Sequence, residues 1–118
     1  TRLSADVLEA LRPFYFSDRV DPAILEASAE HLAAESPRAI LDLSLRLHWL
    51  KPERNGARLM VLGAEGDRIS TPGDVRATAR HHDVEAVILP GMAHMLMLEP
   101  GWESAARAIA AWLETIRS

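Results

Sequence analysis

Two short apolar runs and one long apolar stripe set the plan of the chain. The first run is Ala57-Arg58-Leu59-Met60-Val61-Leu62-Gly63 and the second is Val84-Glu85-Ala86-Val87-Ile88-Leu89. Both have the length and composition of buried strands. Between them lies a helix-sized segment whose start is written locally: Thr71 caps, Pro72 takes the first position and Asp74 the third, a capping box with Asp in place of Glu. That helix should run to about His82, with Val75 and Ala79 inward. Strand, helix, strand reads as a βαβ unit with parallel strands. The stripe follows. Trp102, Ala105, Ala106, Ile109, Trp112, Leu113 and Ile116 recur at spacings of three and four, which predicts an amphipathic helix started by Glu99-Pro100 and covering the sheet.

The first half of the chain reads differently. A short helix is expected over residues 4 to 12, capped by Ser4, with Val7, Leu8 and Leu11 on one face and Pro13 stopping it. The aromatic trio Phe14-Tyr15-Phe16 comes next, packing a small core or contacting a substrate, and then the turn-like Ser17-Asp18. Asp21-Pro22 opens a second helix to about Ala34, with Ile24, Leu25, Ala29 and Leu32 apolar. Ser36-Pro37 opens a third that carries Ile40, Leu41, Leu43, Leu45, Leu47 and Leu50, apolar over more than one face. Lys51 to Gly56 is polar and holds Pro52, Asn55 and Gly56. It divides a helical segment, 1–50, from an α/β segment, 51–118. The fold class is α/β.

Composition narrows the function. At 118 residues the chain is one domain's worth of material, with 48% hydrophobic and 25% charged residues, ordinary globular values. A net charge of -4, with basic residues dispersed among acids, argues against nucleic acid or an anionic membrane surface as a partner. No apolar run approaches the roughly 20 residues of a membrane span. The N-terminus lacks a basic region followed by an apolar one, so no signal peptide is read and a cytoplasmic location is expected. It also lacks an initiator Met, as a piece of a longer protein would. Without cysteine there is no disulfide framework and no thiolate chemistry.

The candidate chemistry sits at the strand ends. Asp67 lies just past the first strand and His94 just past the second. In a parallel sheet both carboxyl ends share one edge, where α/β proteins keep their sites. Other signatures fail. Gly63-Ala64-Glu65-Gly66 has neither the spacing of a dinucleotide loop nor the Lys of a P-loop, so no cofactor is expected. His81 and His82 are adjacent on a helix and point about 100° apart, which suits a solvated helix end better than a metal site. His31 and His48 lack ligand-spaced partners and read as structural or surface residues. No metal is expected.

The order strand, Asp turn, helix, strand, His loop, amphipathic helix resembles the C-terminal part of the α/β-hydrolase superfamily. The resemblance is carried by Leu59-Met60-Val61-Leu62-Gly63-Ala64-Glu65-Gly66-Asp67-Arg68-Ile69 and by Leu89-Pro90-Gly91-Met92-Ala93-His94-Met95. It implies a partial α/β-hydrolase-like core preceded by cap-like helices, with Asp67 as triad acid and His94 as triad base. It also implies acyl transfer to water on a small, fairly apolar ester or amide, with Met92 and Met95 at the pocket. The superfamily's dehalogenases, lyases and cofactor-free oxygenases share the fold and differ chiefly at the nucleophile.

The chain departs from that pattern in one place. The nucleophile elbow is G-x-S-x-G, and no two glycines here stand four apart. Ser70 is close to the Asp turn but opens a helix. The oxyanion-hole loop has no candidate either. Two members of a triad are therefore present without the third, and the chain should not hydrolyse anything unaided. A small-molecule substrate then needs a supplied nucleophile segment. The alternative is a non-catalytic α/β module that self-associates or binds a complementary chain, because a two-stranded sheet leaves its edges open.

Overall fold

A computed structural model describes residues 5–31, 38, 41 and 56–117. Among them are four α-helices, a 3-10 turn and two parallel strands: α1 (Ala5–Tyr15), α2 (Pro22–His31), β1 (Val61–Ala64), α3 (Pro72–His81), β2 (Ala86–Leu89), the 3-10 turn Leu96–Leu98 and α4 (Trp102–Arg117). The architecture is mixed α/β, and β1-α3-β2 is the expected βαβ unit. Most of the expected third helix, His48 with it, and the expected boundary short of Gly56 lie outside the described residues. So do Leu32, Ala34 and the packing of Leu8. Leu41 is 56% exposed. No helix among the described residues is long and apolar enough to cross a membrane.

β1 and β2 pair in register, Val61 opposite Ala86 and Ala64 opposite Leu89. The paired strands are shorter than the apolar runs, for a local reason. Asp83 takes a left-handed φ of 57°, and the Val84 N–H turns back to the Ala79 carbonyl at 3.0 Å. Residues before Ala86 thus serve the end of α3 and not the ladder. That helix begins as its sequence dictates. Thr71 Oγ1 accepts from the Asp74 N–H, and the Asp74 carboxylate accepts from the Thr71 N–H at 3.0 Å.

Side-chain alternation sends the two sheet faces to different helices. On one face α3 packs at Gly63, with Val75 and Ala79 buried. On the other, Ala64 and Leu89 join Met92 and Ala105 of α4, flanked by Leu62, Val87 and Leu96. Only part of the apolar stripe of α4 is covered. Ala105 is buried and Ala108, Trp112 and Ile116 are half-buried, whereas Ala106 is exposed and Trp102, Ile109 and Leu113 are 50%, 42% and 43% exposed. The expectation that this face covers the sheet is met only in part: among the described residues the sheet has two strands about 4.8 Å apart, a platform too narrow for the full stripe.

Pro13 does not end α1, which continues to Tyr15. Proline removes one helical hydrogen bond and crowds the carbonyl four residues back. Here that falls in the last turn, where the Phe16 N–H still donates to Arg12 at 2.9 Å and Phe16 is buried. Packing of the aromatic segment outweighs the local stop signal. Val20 is buried too, and Asp21 caps α2 by accepting from the Ala23 N–H at 2.8 Å. Of the expected inner face of α2, Ala29 is buried, Leu25 half-buried and Ile24 37% exposed.

Candidate active site

The turn after β1 is built against the loop after β2. Glu65 extends the ladder by donating its N–H to the Leu89 carbonyl at 2.9 Å, and Gly66 donates to the Met92 carbonyl at 2.8 Å. A Cβ at Gly66 would stand 2.8 Å from that same oxygen, so only glycine lets the two backbones meet this closely. The next residue is Asp67, 8% exposed. Its Oδ1 accepts from the N–H groups of Ile69 and Ser70 at 2.8 and 2.9 Å, an Asx-type turn that fixes the carboxylate plane. Its Oδ2 is thereby aimed at the neighbouring loop.

On that loop, Gly91 takes a φ of 63° to turn the chain out of β2. The Glu65 carboxylate accepts from its N–H at 3.0 Å, and Arg19 donates to its carbonyl. Met92 and Ala93 are buried and anchor the loop. His94 follows, its Nδ1 2.9 Å from Asp67 Oδ2. An ionised carboxylate can only accept, which assigns the proton to Nδ1 and leaves Nε2 as the basic nitrogen. The ring is 31% exposed, and Tyr15 meets it in a T-shaped contact, centroids 5.7 Å apart. Nε2 has no hydrogen-bond partner among the described residues.

The structure therefore brings together Asp67 and His94, the two residues that the strand ends single out. An imidazole held at Nδ1 by a buried carboxylate, with Nε2 open, can take up and return a proton. Ser70 gives its N–H to Asp67, and among the described residues no serine hydroxyl bonds His94. Met92 and Met95 are separated. Met92 is 2% exposed and packs in the core, its Sδ accepting from the Ser104 hydroxyl at 3.5 Å. Met95 lines a cavity of about 420 Å³ with Tyr15, Phe16, Ile24, Ala27 and Leu98. Ser28 also borders it, but its hydroxyl is committed to the Ile24 carbonyl at 2.7 Å, so the wall is almost wholly apolar. His31 stands exposed at the same rim, and His81 and His82 are exposed at the end of α3. No three His, Asp or Glu side chains converge as a metal site among the described residues.

Two residues beside the site escape a reading of the sequence. Tyr15 braces the imidazole, yet its only signal is membership of an aromatic trio. Glu99 reads as a helix start before Pro100 but is 1% exposed, with both carboxylate oxygens bonded to Ser17. A partner 82 positions away leaves no mark in local spacing. No protein-family model, no curated protein and no solved structure matches the chain.

Proposed function

We propose that the chain is the C-terminal part of an α/β-hydrolase-type enzyme in which His94 is the general base and Asp67 the triad acid. The observation that carries this reading is the Asp67–His94 pair at the carboxyl ends of two adjacent parallel strands. His94 Nε2 would take the proton of a hydroxyl nucleophile and return it to the leaving group, while Asp67 steadies the imidazolium. With no G-x-S-x-G in the sequence, the nucleophile belongs to a segment outside these 118 residues, in the same polypeptide or in a partner chain. The apolar cavity lined by Tyr15 and Met95 supports a small apolar ester or amide as substrate, and α1 and α2 take the place of a cap. The test is labelling by a fluorophosphonate after native purification of the full polypeptide that carries these residues, together with any bound partner. The expected result is a labelled serine outside residues 1–118, with labelling lost in His94→Ala and Asp67→Asn. A label indifferent to His94→Ala would sink the reading.

One observation favours a second reading, a module that assembles without catalysis: Trp102, Ile109 and Leu113 stand exposed along one side of α4. A contiguous exposed apolar row offers a surface for a second chain.

A further inference from the structure

The loop that carries His94 is clasped at three points by one short segment. The Met95 N–H donates to the Tyr15 carbonyl at 2.9 Å, Glu99 holds Ser17, and Arg19 donates to the carbonyl of Gly91. The Glu99 clasp is the unusual one. Its Oε1 accepts from the Ser17 N–H at 2.8 Å and its Oε2 from the Ser17 hydroxyl at 2.6 Å. The residue is 1% exposed, and no cation pairs with it among the described residues. A carboxylate buried against two neutral donors is a poor route to stability, because an apolar side chain of similar volume avoids the desolvation cost. What it supplies is direction: two short bonds set where Ser17 lies relative to residue 99.

We infer that Glu99 is a positioning residue for His94, acting through Ser17 and Tyr15. The inference rests on the reading of His94 as a base. Between His94 and Glu99 the chain is a tight turn, with the Leu96 N–H on the His94 carbonyl at 3.0 Å and the Leu98 N–H on Met95 at 2.8 Å. The Trp102 N–H then caps back onto the Glu99 carbonyl at 3.0 Å. Residue 99 thus joins this turn, the start of α4 and the segment 15–17. If the clasp opens, Tyr15 loses its registration, and the imidazole keeps only the Asp67 bond to fix its plane. A displacement of about 1 Å at such a base costs on the order of a hundredfold in rate.

The test compares Glu99→Leu, which keeps the volume and removes both acceptors, with Glu99→Gln. The Gln side chain still accepts from the Ser17 N–H and can donate to its hydroxyl. In the 118-residue chain, nuclear Overhauser contacts between the ring protons of Tyr15 and His94 report whether the imidazole keeps its edge-on seat. Wild type and Glu99→Gln should show them and Glu99→Leu should lose them, with the Nδ1 proton held by Asp67 in all three. In the nucleophile-bearing form, hydrolysis of p-nitrophenyl butyrate should fall about tenfold to a hundredfold in kcat for Glu99→Leu, with KM within about twofold and near-complete recovery in Glu99→Gln. A folded Glu99→Leu with unchanged Tyr15–His94 ring contacts overturns the inference. Should Glu99→Leu not fold, Ser17→Ala decides: weakened Tyr15–His94 contacts support the clasp, and unchanged ones overturn it. An activity that survives His94→Ala would remove the proposed reaction but leave the ring contacts to judge Glu99 separately.

Discussion

Gly63 is the tightest point between the sheet and α3, and adding one methyl there gives a signed prediction. A Cβ at this position would lie 2.5, 3.0 and 3.2 Å from Cγ2, Cγ1 and Cβ of Val75. Relaxed carbon contacts sit near 3.5–4.0 Å, so Val75 has to withdraw by about 1 Å. Rotation offers no escape, because all three carbons are close and a valine in a helix has one favoured χ1 well. The helix must shift or the core must carry the overlap, at a cost of roughly 1–3 kcal/mol. Alanine's smaller loss of backbone freedom on folding returns about 0.4–1 kcal/mol. Gly63→Ala should therefore destabilise by a net of about 1–2 kcal/mol. Val75→Ala alone should cost about 2 kcal/mol, from two methyl groups at about 0.8 kcal/mol each plus a cavity. In the double variant the new methyl occupies the space that Val75 vacates, so the combined loss should fall short of the sum by about 1 kcal/mol or more. Urea unfolding followed by tryptophan fluorescence measures all three. A Gly63→Ala protein as stable as wild type, or a double variant additive within about 0.3 kcal/mol, refutes the packing argument.

Three other outcomes follow from local geometry. Thr71→Ala removes one half of the capping box and should lower stability by about 1 kcal/mol in the same unfolding assay, with Thr71→Ser close to wild type. Gly91→Ala forces a side chain into φ near 63°, which should cost about 1–2 kcal/mol and, by moving the loop, weaken the His94 Nδ1–H resonance in proton NMR. Ile109→Lys together with Leu113→Lys should leave the fold intact, since both are 42–43% exposed, and should abolish any concentration-dependent mass seen in sedimentation of the parent chain.

The sequence made some of this legible because the signals are short-range. Thr71, Pro72 and Asp74 specify a helix start within four positions. Asp21 and Pro22 do so within two. The apolar runs separated by one helix force parallel pairing, and that alone places Asp67 and His94 on one edge. Other features rest on forces that no local window contains. Pro13 remains helical because Phe16 finds a buried site. The covered row on α4 is set by a sheet that is two strands wide among the described residues. Met92 and Met95 look equivalent beside His94, yet the turn at Gly91 sends one into the core and the other to the cavity wall. Glu99 and Ser17 meet only once α1 has docked.

That last contact has a bearing on the order in which the molecule assembles. The Asp67–His94 bond closes a loop of 27 positions that is itself filled by a helix, whereas the Ser17–Glu99 bond closes one of 82. Chain entropy alone makes the longer closure about 1 kcal/mol more costly. Acid and base are thus expected to find each other inside the βαβ unit before the N-terminal helices arrive, and to stay paired when those helices detach. Native-state hydrogen exchange should then show the amides of Ser17 and Met95 opening at lower free energy than those of Ile69 and Ser70. A site wired in this way has two layers of integrity: the proton-carrying pair survives partial opening, and only its alignment depends on the complete fold.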